Sequence, residues 1–231
     1  MLYNIHTHSL TKEEGVESIY NFRFPDRAVE KIPENQLFSA GVHPWDARSE
    51  DIELYRNWLD EAPQYPNCVA LGEAGIDAIR GADKESQEAV FRLHAEMAEK
   101  HKLPLIIHAV RAHQDIIRIR KTGNFAVPWI VHGFTAKPEV AEMYFRAGIH
   151  ISIGEFYIQN PEKLARLLTI IPLSSLFVET DESEISIRLI YNAIADSFRL
   201  TQLELERSMA SIFVSPKKIS APLHRKLPPT S

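Results

Sequence analysis

Eight short apolar runs, rich in β-branched residues and bounded by polar, Gly or Pro positions, constrain this fold more than any other feature of the chain. They are Leu2–Ile5, Glu17–Phe22, Leu37–Val42, Cys68–Leu71, Leu105–Ile107, Trp129–Val131, His150–Ile153 and Leu176–Val178. Runs of this kind suit strands buried on both faces, as in a parallel sheet. Helical spacing separates the later ones. It is clearest over Lys84–Lys102, where Val90, Phe91, His94, Met97 and Ala98 share one face, and it recurs over Pro138–Ala147 and Ile185–Phe198. A last helix is expected from Thr201, which has the capping-box spacing to Glu204, to Phe213. Strands alternating with helices predict parallel βα units, and eight of them predict a TIM-type (β/α) barrel. Pro25 and Pro33 leave little room for a helix after the second run, so the first βα units are expected to be abbreviated.

With 231 residues, 45% of them hydrophobic, the chain can build one barrel-sized domain. We expect it to occupy residues 1–213, followed by a basic, proline-rich tail over 214–231. A net charge of -5 rules out a global basic field for nucleic-acid binding, so a polyphosphate substrate would need metal ions to neutralise it. The linear sequence also lacks clusters that mix aromatic and basic residues. The one cysteine, Cys68, excludes an internal disulfide and fits a reducing compartment, with the cytoplasm as the expected location. No stretch approaches the roughly 18 apolar residues of a membrane span, and Met1–His6 lacks the character of a signal peptide. No membrane partner is expected.

The chemistry-bearing residues fall at strand ends. His6-Thr7-His8 follows the first run, and residues two apart in extended chain point the same way and can chelate one ion. Alone that is weak evidence in a chain with 10 histidines. Glu73, His108, His132 and Asp181, however, each follow a separate run. In a βα barrel those ends converge on the rim that carries the chemistry. Four imidazoles and two carboxylates exceed one tetrahedral site and suit two divalent ions, with Glu73 as the bridge because a carboxylate has two oxygens to share. Asp181 and Glu73 are the catalytic candidates. His43, in Gly41-Val42-His43-Pro44, and Arg111, just after His108, are candidates for substrate contact. Glu155 and Glu179 are rim carboxylates that could orient ligand histidines. His94, His101 and His113 lie in helical segments and read as packing or surface residues.

With these residues assembled, the chain resembles the TatD family of metal-dependent deoxyribonucleases, a branch of the amidohydrolase-like barrels. The resemblance is carried by Asn4-Ile5-His6-Thr7-His8, Gly41-Val42-His43-Pro44, Gly72-Glu73-Ala74-Gly75-Ile76-Asp77, a helix with Gln87 and Phe91 leading to Pro104-Leu105-Ile106-Ile107-His108, His132-Gly133-Phe134 and Glu179-Thr180-Asp181-Glu182. It implies that His6, His8, Glu73 and Asp181 hold one ion, and Glu73, His108 and His132 the other. The imidazole-rich donor set favours Zn, Mn, Co or Ni, while the resemblance keeps Mg open and implies DNA or another phosphodiester as the substrate. Asn4 stands where the family usually has Asp. If that position orients a ligand imidazole, a neutral amide should weaken metal binding. Two other functions fit the same residues: hydrolysis of a small amide, lactone or phosphoester, and a metal-stabilised scaffold without catalysis.

Overall fold

The computed structural model describes residues 1–25 and 29–198. Eight parallel strands pair in chain order: β1 (Leu2–Thr7), β2 (Val16–Arg23), β3 (Leu37–Gly41), β4 (Cys68–Asp77), β5 (Leu105–Val110), β6 (Trp129–Val131), β7 (Ile149–Ile153) and β8 (Leu176–Val178). Closure falls at the carboxyl rim. Thr7 and Asp181 form a parallel bridge, in which the His8 N–H donates to the Asp181 carbonyl at 3.1 Å and the Asp181 N–H donates to that of His6 at 3.0 Å. The barrel is therefore fastened through residues of the candidate site.

The helices are α1 (Ile52–Glu61), α2 (Lys84–His101), α3 (His113–Thr122), α4 (Pro138–Arg146), α5 (Glu155–Ile158), α6 (Pro161–Leu168) and α7 (Ile187–Phe198). Among the described residues, no helix joins β1 to β2, and only a 3-10 turn, Val29–Lys31, precedes β3. The first units are abbreviated, as the prolines predict. Strand burial follows the cover: β2 alternates with half-buried and exposed positions such as Glu17, whereas β4 is almost continuously buried. α2 is the best specified helix. The Asp83 side chain caps it by accepting from the Ser86 N–H at 2.9 Å, and Val90, Phe91, Leu93, Ala95, Met97 and Ala98 are buried.

The differences from expectation lie mostly at strand ends. β4 runs six residues beyond Leu71, because Gly72 and Gly75 allow a close approach to β5 that side chains would block. A Cβ at Gly75 would stand 1.9 Å from the His108 carbonyl oxygen, and one at Gly72 2.1 Å from that of Ile106. Glu73 and His108 consequently lie within strands, which fixes them more firmly than loops would. α1 was not foreseen, although Tyr55, Trp58 and Leu59 give it a buried face. The helix expected from Thr201 and the tail over 214–231 lie outside the described residues. No helix among the described residues is long and apolar enough to cross a membrane.

Candidate metal centre

Glu73 is the centre of the rim. It is 4% exposed, and five imidazoles surround it. Oε1 lies 2.7 Å from His108 Nδ1, 2.7 Å from His132 Nε2 and 3.4 Å from His43 Nε2. Oε2 lies 3.7 Å from His6 Nε2 and 3.9 Å from His8 Nε2. Asn21 on β2 fixes the carboxylate, since its amide nitrogen donates to Oε2 at 3.0 Å while its carbonyl oxygen accepts from the Glu73 N–H at 3.2 Å. Sequence reasoning missed Asn21, a neutral amide in a strand with no motif around it.

Asp181 stands on the far side of the two N-terminal histidines. Its Oδ1 is 3.6 Å from His6 Nε2 and 3.4 Å from His8 Nε2, and its side chain is 40% exposed. Its backbone has a φ of 52°, in the left-handed region, and is pinned there by the hydrogen bonds to β1. Three groups of donor atoms result, each with its members within 4.8 Å of one another: His6, Glu73 and His132; His6, His8 and Asp181; His43, Glu73 and His108. His132 thus neighbours His6 as well as His108, with ring centroids 4.2 and 5.5 Å away.

The donor set fits divalent cations. Among the described residues, both ring nitrogens of His6, a residue with no exposed surface, lack a hydrogen-bond partner, as does His108 Nε2. A buried unsatisfied polar atom costs about 1–3 kcal/mol, and an ion at the rim would remove that cost for a nitrogen facing it. The carboxylates are ready to bind as anions. Burial alone would raise the Glu73 pKa, but the surrounding imidazoles, His132 foremost, hold it well below the ordinary range. Burial opposes ionisation of Asp181 too, and the neighbouring imidazoles of His6 and His8 overcome it. His8 is shifted up, chiefly by its bond to Asp181; His43 is shifted down, because its burial outweighs its contact with Glu73.

The other candidates fall in different places. His43, expected at the substrate, lies among the donors, its Nδ1 accepting from the Trp45 N–H at 3.2 Å. Arg111 is exposed on the turn between β5 and α3 and has no ion-pair partner among the described residues. Glu179 is buried 3.8 Å from His132 Nδ1 and accepts from the Gly133 N–H. Glu155 does not orient a histidine; it accepts from the Ser183 hydroxyl at 2.6 Å and the Gln159 amide at 2.9 Å. Asn4 also departs from expectation. Its amide donates to Thr180 Oγ1 at 2.8 Å and its carbonyl oxygen accepts from the Thr180 N–H at 3.1 Å, so it braces the chain before Asp181 rather than a ligand imidazole. His94 is more than packing. Its Nδ1 lies 2.8 Å from the Val90 carbonyl and its Nε2 accepts from the Val42 N–H at 3.0 Å, which holds the backbone next to His43. Burial pushes its pKa down to about 4, so it stays a neutral brace.

A parallel barrel with imidazoles and carboxylates gathered at its carboxyl rim places the protein among the barrel metal hydrolases. The family model described as TatD related DNase matches residues 14–184. The chain belongs to the TatD family of metal-dependent hydrolases. It is 34% identical to the metal-dependent hydrolase YabD of Bacillus subtilis over 74% of its own length and 70% of that protein's. It is 30% identical to the 3'-5' ssDNA/RNA exonuclease TatD of Rahnella over 67% of its length and 60% of that protein's. The crystal structure of the TatD homologue YjjV from Escherichia coli superposes with a TM-score of 0.72 at 22% identity, covering 87% of this chain and 88% of that one.

Proposed function

We propose that this chain hydrolyses phosphodiester bonds of single-stranded DNA, using two divalent ions held by His6, His8, Glu73, His108, His132 and Asp181. The observation that carries the proposal is the buried Glu73 carboxylate ringed by five imidazoles, with its two oxygens facing different histidines. The printed activity of the Rahnella relative supports the choice of substrate. Ions bound among these donors would supply positive charge to a phosphate and lower the pKa of a water toward about 7. The rest falls to the chain. Glu73, too buried to meet substrate, keeps the imidazoles in register, and Asn21 keeps Glu73 in place. Asp181, ionised and open to solvent, accepts the proton of the attacking water. Arg111, exposed and without an ion-pair partner among the described residues, binds a substrate phosphate. Imidazoles favour Zn, Mn, Co or Ni, and the carboxylates also admit Mg.

The net charge of -5 favours a second reading, a hydrolase of small esters, lactones or amides. Chelator-stripped protein, incubated with end-labelled single-stranded oligonucleotide and with a panel of esters, lactones and amides, separates the two. Shortening of the oligonucleotide on addition of Mn or Mg is the expected result. An intact oligonucleotide beside metal-dependent cleavage of a panel compound would overturn the proposal in favour of the second reading.

A further inference from the structure

Beside the metal donors stands an aromatic side chain they leave open. Trp45 is 43% exposed, while Trp58 and Trp129 are 7% and 0% exposed. It is held rigidly. Its backbone N–H donates to His43 Nδ1 at 3.2 Å, its indole N–H donates to Asp77 Oδ2 at 2.8 Å, and its ring meets that of His43 edge-on at 4.7 Å. The loop after β4 passes close beneath, where a Cβ at Gly81 would be 2.7 Å from the Trp45 Cα. Two guanidiniums flank the indole, Arg23 Cζ at 5.7 Å and Arg80 Cζ at 5.8 Å from the ring. Both stand over the ring at the outer end of cation–π reach, about 6 Å, and the indole keeps 43% of its surface exposed beside them. Arg23 is paired with Asp46, and Arg80 has no ion-pair partner among the described residues. His43, the residue under Trp45, is itself 3.4 Å from Glu73.

We propose that Trp45, flanked by Arg23 and Arg80, is the platform on which a nucleobase stacks beside the phosphate held at the Glu73 centre. This inference rests on the phosphodiesterase function proposed above and extends it to how the strand is held. A rigid, exposed indole next to a phosphate site suits any base, because every base has a π-face. The bases of a single strand are free to splay onto it, and those of a duplex are not. Arg80 can reach the backbone of the same nucleotide. The patch is invisible in the linear sequence because its members close β2, follow β3 and follow β4.

Trp45 also supports Asp77, so the test must separate stacking from that bond. Trp45→Phe keeps an aromatic face and loses the N–H; Trp45→Ala loses both. Both variants and the wild type are given oligothymidylate and an oligomer of equal length with tetrahydrofuran abasic sites, with metal content and melting checked for each. Stacking predicts that Trp45→Ala loses about 5- to 150-fold in kcat/KM on oligothymidylate and little on the abasic strand, whereas Trp45→Phe keeps most of both. Equal losses in Ala and Phe on both substrates would overturn the proposal and leave Trp45 as a support for Asp77. An unchanged Trp45→Ala would overturn it too. Binding gives a readout independent of turnover: oligothymidylate should quench the wild-type tryptophan emission, and the abasic strand should not. Base-dependent quenching without cleavage would refute the phosphodiesterase function while sustaining the platform. Cleavage without quenching or base dependence would do the reverse.

Discussion

The two sides of the barrel mouth differ in charge. On one side, the ends of β2 to β5 present Arg23, Trp45, Arg80 and Arg111, with Asp46 paired with Arg23 and the buried Asp77 bonded to Trp45. On the other, the ends of β7 and β8 present Glu155, Glu182 and Glu184; Glu182 and Glu184 are exposed and have no ion-pair partner among the described residues. Between them lies the ring around Glu73. A net charge of -5 averages this out and conceals it. The difference teaches that an acidic chain can still offer a polyanion a favourable path, provided the basic groups are collected on the approach and the acidic ones lie beyond the reacting centre. Asp181 belongs to the acidic side, and on the proposed function it is the group there that would take up a proton.

That contrast can be broken from either side. The largest effect is expected at Asp181. Asp181→Asn keeps the shape and a neutral oxygen but removes the charge, and oligonucleotide hydrolysis in saturating Mn should fall by about 10²–10⁴. The thermal melt of the same protein should be nearly unchanged, since the backbone bonds that close the barrel at residue 181 are kept. Near-wild-type turnover would remove Asp181 from the reaction. On the basic side, Arg111→Ala should raise KM for oligonucleotide by about 10-fold, the worth of one charge-assisted bond. It should also reduce the steepness of the salt dependence by about 0.7. Loss of kcat at constant KM would mean that Arg111 does not hold a flanking phosphate.

Neutralising the opposite side should act in the other direction and more weakly. The double variant Glu182→Gln, Glu184→Gln is expected to lower KM by about 2-fold at low ionic strength, an effect that disappears in high salt because both groups are solvent-exposed. A rise in KM would show that the strand also leans on the acidic side. Smallest of all is Asn4→Asp. Because Asn4 bonds Thr180 and no imidazole, metal affinity measured by competitive chelation should change by less than about 3-fold. A 10–100-fold tightening, the usual worth of a carboxylate that orients a ligand histidine, would show that residue 4 reaches one after all.

The barrel was legible because short β-branched runs bounded by breakers alternate with longer helical patterns, and because Pro25 and Pro33 mark the missing helix. The rim histidines and acids were legible for a related reason: strand ends on one face of a βα barrel converge whatever the loops do. Residues that act through distant partners were not legible. Asn21 meets Glu73 from another strand, His94 meets Val42 from across the barrel wall, and Trp45 meets Arg23 and Arg80 only once the end of β2 and the loops after β3 and β4 come together. The end of β4 was misplaced because Gly72 and Gly75 look like strand breakers, while in the folded chain they let β4 and β5 run close together. Asn4 misled for the opposite reason: its position suggested a metal role, and its side chain turns to Thr180 instead.

On the proposed function, the carboxylate of Glu73 joins two cation sites on one rim. Elemental analysis of protein loaded with Mn or Zn and then dialysed to constant metal content tests it most directly. Saturation at two ions per chain is expected; saturation at one ion would remove the joining role of Glu73, and retention of none would remove the metal centre altogether.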